Sequence, residues 1–194
     1  MQNSFFLLSP TAAAFFSSML FFGDTGSAAA VIFAAAVHEL SHIAVLLACG
    51  FRIAGFDMSV NGVCIKYEGR ENRRARFLSN MAGPAGGMAL YFFGKAAFSA
   101  SLPQWLHLSC RVSLFLSLFN LIPAFPLDGG YCAYIIAGRL FGVRYAGTLM
   151  NFLGGFFSVL IILAGLAFIA NGFGIGAMIA GISILCANVS SDDL

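Results

Sequence analysis

Charge is what this sequence has least of. Of its 194 residues, 9% are charged and 60% are hydrophobic. Soluble domains carry roughly a quarter charged residues. So little polar surface cannot coat a water-soluble globule of this size, which turns the reading to a membrane protein. Net charge is only +2, and nothing points to nucleic acid. The five cysteines (49, 64, 110, 132 and 186) are odd in number and form no C-x-x-C pair. That excludes a disulfide framework and a zinc ribbon. They read as small apolar packing residues, with Cys132 a candidate site neighbour one helical turn after an acid. A basic leader is also missing. Met1-Gln2-Asn3 carries no cation, and the apolar run 5–22 shows no small-x-small cleavage pattern. A retained spanning helix is expected there, not a signal peptide.

What is present is a series of apolar runs about 20 residues long, enough to cross a bilayer. They cover 5–22, 27–49, 77–100, 105–122, 146–170 and 173–189, with a further helical stretch at 129–141. The fold class expected is an all-α polytopic membrane protein with about six transmembrane helices. No repeat or low-complexity tract interrupts it. It reads as a single integral membrane domain over 1–194, with the catalytic core at about 27–141.

Six of the ten basic residues lie between Arg52 and Arg76, and Arg139 and Arg144 follow the fourth span. Basic loops stay cytoplasmic. Six spans with both ends inside agree with that rule. After the second span, Phe56, Met58 and Val60 alternate with polar or small residues, then Asn61-Gly62 intervenes, then Val63, Ile65 and Tyr67 alternate again. Asn-Gly between alternating runs is a strong short hairpin signal, because both central turn residues need positive φ. A short β-hairpin at the cytoplasmic face is expected. Its exposed edge could pair with an unwound peptide, which makes Phe56, Met58, Val60, Val63 and Ile65 candidate substrate-binding residues.

Eight acids are present, and only Glu39 and Asp128 fall within or beside the apolar segments. An acid at bilayer depth costs about 3 kcal/mol on insertion scales, so it faces inward and has a task. Histidine is scarcer still. Two of the three flank Glu39 in His38-Glu39-Leu40-Ser41-His42. On a helix, positions i and i+4 share one face, so both imidazoles can reach one ion. Glu39, about 100° around the helix, can touch a metal-bound water without being a ligand. A catalytic zinc takes three protein ligands and leaves a fourth position open. His107 is one candidate third ligand, but it sits beside Trp105 at an expected interface. Asp128 is the better one. It lies in Asn-Leu-Ile-Pro-Ala-Phe-Pro-Leu-Asp-Gly-Gly, residues 120–130. There Pro123 and Pro126 stop the helix, and broken backbone at membrane depth survives only where protein or water satisfies it.

These two motifs together resemble the site-2 protease family of intramembrane zinc metalloproteases. That family pairs H-E-x-x-H with a later N-x-x-P-x-x-P-x-D-G, here Asn120, Pro123, Pro126, Asp128 and Gly129. A third element, Ala82-Gly83-Pro84-Ala85-Gly86-Gly87, resembles the family's G-P motif, with Gly87 where many members have Asn. The compact form is similar to the sporulation-type bacterial branch. The resemblance implies one zinc ion held by His38, His42 and Asp128, with Glu39 as general base and acid and Asn120 as a substrate-positioning or oxyanion-side residue. It implies regulated intramembrane proteolysis of a single-span membrane protein or peptide. The setting implied is a bacterial cell membrane, with the site accessible from the cytoplasm and room for a regulatory membrane partner. The alternatives are a metal-handling membrane transporter and a non-catalytic membrane binding module.

Overall fold

The computed structural model describes residues 25–59, 62–68, 72–97, 103–172 and 175–190. The expected first span and Val60 lie outside these. In chain order the elements are α1 (Thr25–Ala48), β1 (Arg52–Ser59), β2 (Gly62–Glu68), α2 (Arg73–Ala97), α3 (Gln104–Asn120), α4 (Asp128–Phe141), α5 (Val143–Ala170) and α6 (Gly176–Ser190). Among the described residues the architecture is thus helical, with one pair of short strands.

α1 is rich in alanine, which forms helix at no side-chain entropy cost. Its buried stripe, Ala30, Ala34, His38, His42 and Leu46, recurs every four residues. The helix ends where Gly50 takes φ 82°. There Gly50 N–H donates to Leu47 O at 3.0 Å and Phe51 N–H to Leu46 O at 3.1 Å. This is the Schellman closure, which needs a left-handed residue. Phe51 then buries against Leu46 and Ala75. That contact ties the end of α1 to the start of α2.

β1 and β2 pair antiparallel, with Phe56 opposite Ile65 and Met58 opposite Val63, and an irregularity between Ile53 and Gly55. α2 begins four residues before the expected apolar run. Asn72 Oδ1 accepts the Arg74 N–H at 2.9 Å, a side-chain cap that satisfies one free donor of the first turn. Arginine is also a good helix former, so the basic cluster joins the helix.

α1, α2 and α3 contact one another pairwise; α4 packs on α2 and α5, and α5 pairs with α6. Small residues let these helices approach. A Cβ on Gly86 would strike Ser41, and one on Gly87 would strike Ser117 and Ser113. Ser113 donates to Gly87 O at 3.1 Å across the α2–α3 seam. Ser109 and Ser117 instead satisfy their hydroxyls on carbonyls one turn back in their own helix. Among the described residues, two helices, α1 and α5, are long and apolar enough to cross a membrane. Large apolar side chains of α5 such as Phe152, Phe156, Val159 and Leu163 point outward, exposed.

A candidate metal centre

The site forms where α1 meets the proline-broken segment. Residues 121–127 are not helical, yet Ala124 and Leu127 are fully or almost fully buried. Their backbone groups are paired locally. Leu121 N–H reaches Ser117 O, Ala124 N–H reaches Ile122 O, and Leu127 N–H reaches Ala124 O. The segment packs on Ile184 of α6, with Phe157 and Ile161 of α5 alongside. It also folds tightly onto the first turn of α4. A Cβ at Gly129 would run into the Leu121 and Ile122 carbonyls, and one at Gly130 into the Ala124–Phe125 backbone. Only glycine fits at these two positions without moving backbone.

This fold-back sets Asp128 in the first turn of α4, facing α1. A carboxylate is favoured there by the positive end of the helix dipole. Asp128 Oδ2 lies 3.1 Å from His38 Nε2 and 3.3 Å from His42 Nε2. The two Nε2 atoms are 3.2 Å apart. His38 is 3% exposed and His42 8%. His107 is not part of this cluster.

The protonation of His42 follows from its other nitrogen. Nδ1 lies 2.7 Å from Ser79 O. A carbonyl only accepts, so Nδ1 carries the proton and Nε2 is free to present a lone pair. A metal-ligating histidine is typically held this way, which fixes tautomer and ring plane. His38 Nδ1 is buried with no hydrogen-bond partner among the described residues, and its Nε2 lies 3.1 Å from Asp128 Oδ2. In the tautomer that carries its proton on Nδ1, His38 presents a second lone pair beside that of His42 and the Asp128 carboxylate, a set that a cation would draw together. Zinc suits it. With Zn–N and Zn–O bonds near 2.0–2.1 Å, tetrahedral ligands sit about 3.3 Å apart, and the three edges here are 3.1–3.3 Å. The donor set is two imidazoles and one carboxylate, which leaves a fourth position open. Gly83 of α2 supplies the room, since a Cβ there would collide with the Nε2 atoms of both histidines.

The remaining sequence candidates fall as follows. Glu39 is half-buried on the next residue of α1 and interacts electrostatically with His38, His42 and Asp128. Asn120 ends α3 buried, and its amide donates to Leu116 O at 2.9 Å. Phe56 and Met58 lie on β1, Val63 and Ile65 on β2. Cys132 is buried one turn beyond Asp128, its thiol 3.8 Å from Phe77 O, outside the donor trio. Two contributors were not recognised for what they do. Ser79 acts through its backbone carbonyl, for which side-chain identity is no signal. Gly83 was legible only as a close-packing glycine.

The chain resembles known proteins in both sequence and fold. It is 32% identical over 127 residues to a Synechocystis sp. protein provisionally named a zinc metalloprotease. That match covers 61% of this chain and 33% of the relative, so the chain spans about a third of the relative's length. A solved site-2 protease from Methanocaldococcus jannaschii superposes with a TM-score of 0.66 at 18% identity, over 95% of this chain and 87% of that one. No family model matches. The fold is therefore that of a site-2 protease. That fold agrees with the family resemblance carried by His38-Glu39-x-x-His42 and Asn120–Gly129, and the sequence relative bears a metalloprotease name.

Proposed function

We propose that this chain is an intramembrane zinc metallopeptidase, which hydrolyses a peptide bond in or near the transmembrane segment of a membrane-anchored substrate. The observation that carries this is the convergence of His38, His42 and Asp128 at mutual distances of 3.1–3.3 Å. In this reading those three residues hold the metal. Bound zinc would lower the pKa of water and polarise the scissile carbonyl. Glu39 takes the proton from the attacking water and returns it to the leaving amine. Asn120 positions the substrate.

A substrate helix hides its carbonyls in its own hydrogen bonds, so it must unwind before attack. The outer edges of β1 and β2 offer backbone groups to which an unwound segment can pair, with Phe56, Met58, Val63 and Ile65 on these strands and Val60 the next residue in sequence after β1. Proline substitutions along those edges should slow cleavage; unchanged cleavage removes this part of the reading. The setting is a single multi-pass domain with about six spans in a bacterial cell membrane, with the strands and the site's opening on the cytoplasmic side. The long apolar helices α1 and α5 support it, as does the basic cluster after α1. The partners proposed are a single-span protein or peptide substrate and the surrounding bilayer, with a regulatory membrane protein compatible with both.

The Glu39→Gln variant is the test. It should retain zinc and lose cleavage of a model single-span peptide by about 10²–10⁴-fold. Full cleavage by this variant would remove Glu39 from the mechanism.

A further inference from the structure

A second site lies away from the metal centre, where α1 ends and α2 begins. A cavity of about 630 Å³ opens there, lined in part by Phe51, Asn72, Arg74, Ala75 and Leu78. Its two sides differ in chemistry. Phe51 and Ala75 are buried and apolar, and Leu78 is 52% exposed. Arg74 is exposed on the first turn of α2 and next to Arg73. Among the described residues, no carboxylate forms an ion pair with Arg73 or Arg74. Asn72 is occupied in capping the helix. An exposed arginine thus borders a cavity whose lining also includes buried apolar residues.

We propose that this cavity binds an anionic phospholipid, its phosphate on Arg74 and its acyl portion against Phe51, Ala75 and Leu78. Free phosphate would use the arginine but not the apolar floor. A zwitterionic lipid would use the floor but gain little from the charge. The site rests on the membrane reading above, because it places the cavity at the end of the α1 span, at headgroup depth. There a juxtamembrane arginine attracts anionic lipid about fivefold over neutral lipid. The position also bears on the metal centre. α1 carries His38 and His42, while α2 carries the Ser79 carbonyl and Gly83. A lipid bridging the two helix ends holds together the pair that shapes the zinc site.

The full chain would be reconstituted in vesicles of equal phosphatidylglycerol and phosphatidylcholine, extracted in mild detergent, and its co-purified lipids quantified by mass spectrometry. The expected result is severalfold enrichment of phosphatidylglycerol, lost in Arg74→Gln, kept in Arg74→Lys and kept in Arg144→Gln. Filling the cavity with Leu78→Trp should also remove it, and millimolar inorganic phosphate should not compete. Zinc content, measured on each variant, separates loss of lipid from loss of fold. No enrichment in the wild type, or equal loss in Arg144→Gln, overturns the proposal. So does competition by phosphate, which would make the site one for a free anion. Failure of the wild type to resist alkaline extraction from the vesicles would overturn the membrane reading itself, and the lipid site with it.

Discussion

Adding one methyl group at Gly83 gives a sharp test of the site's construction. An ideal Cβ there lies 2.6 Å from His38 Nε2 and closer still to His42 Nε2. Non-bonded carbon and nitrogen need about 3.5 Å, so the rings or the helices must move by roughly 1 Å. The rings have little freedom. His42 is held by Ser79 O, and both histidines are buried. Zinc coordination tolerates only about 0.2 Å in ligand distance, so the displacement and the metal are incompatible. Outer-sphere changes alone cost about 10–100-fold in metal affinity. Gly83→Ala, which moves both of the imidazoles proposed to hold the metal, should cost at least the upper end of that range. Overpacking should take a further 1–3 kcal/mol from stability. The control is Gly155→Ala on α5, where nothing lies within 4 Å of the new Cβ. That change should leave zinc affinity alone and be neutral or stabilising by up to about 1 kcal/mol. The assay is chelator competition for zinc on both variants, with thermal melts read in parallel. If folded Gly83→Ala bound zinc as tightly as the wild type, the site's described geometry would be wrong.

Three further outcomes are expected. Ser79→Ala should keep zinc affinity within about twofold, because the group that orients His42 is a backbone carbonyl; a large loss by chelator competition would assign that role elsewhere. Gly50→Ala should lower the melting temperature through a strained left-handed residue costing about 1–2 kcal/mol, with zinc stoichiometry unchanged; an unaltered melt would refute the closure described for α1. Removing metal with a chelator should lower the melting temperature, since a ligand at 100 times its Kd stabilises by about 2.7 kcal/mol; a melt indifferent to zinc would argue against a preformed site.

The helices were legible because they are written as apolar runs of membrane length. α1 was expected at 27–49 and is found at Thr25–Ala48. α3 and α4 also lie within a residue or two of expectation. α2 was misjudged at its start, since hydropathy registers Phe77 but not the capping Asn72 that carries the helix back to Arg73. The site was legible in its side chains. H-E-x-x-H has a helical period, and Asp128 was one of only two acids within or beside an apolar segment. What the sequence does not spell out is how α2 leans on α1. The Ser79 carbonyl and the missing Cβ of Gly83 act through contacts between residues some 40 positions apart. Nothing local to either residue encodes such a contact.

The most direct test is metal analysis of the purified chain beside His38→Ala, His42→Ala and Asp128→Ala. The account predicts a single bound zinc in the wild type and severe loss in each of the three variants, Asp128→Ala included. Retention of stoichiometric zinc by Asp128→Ala at wild-type affinity would contradict it, because the carboxylate would then not share the ion with the two imidazoles.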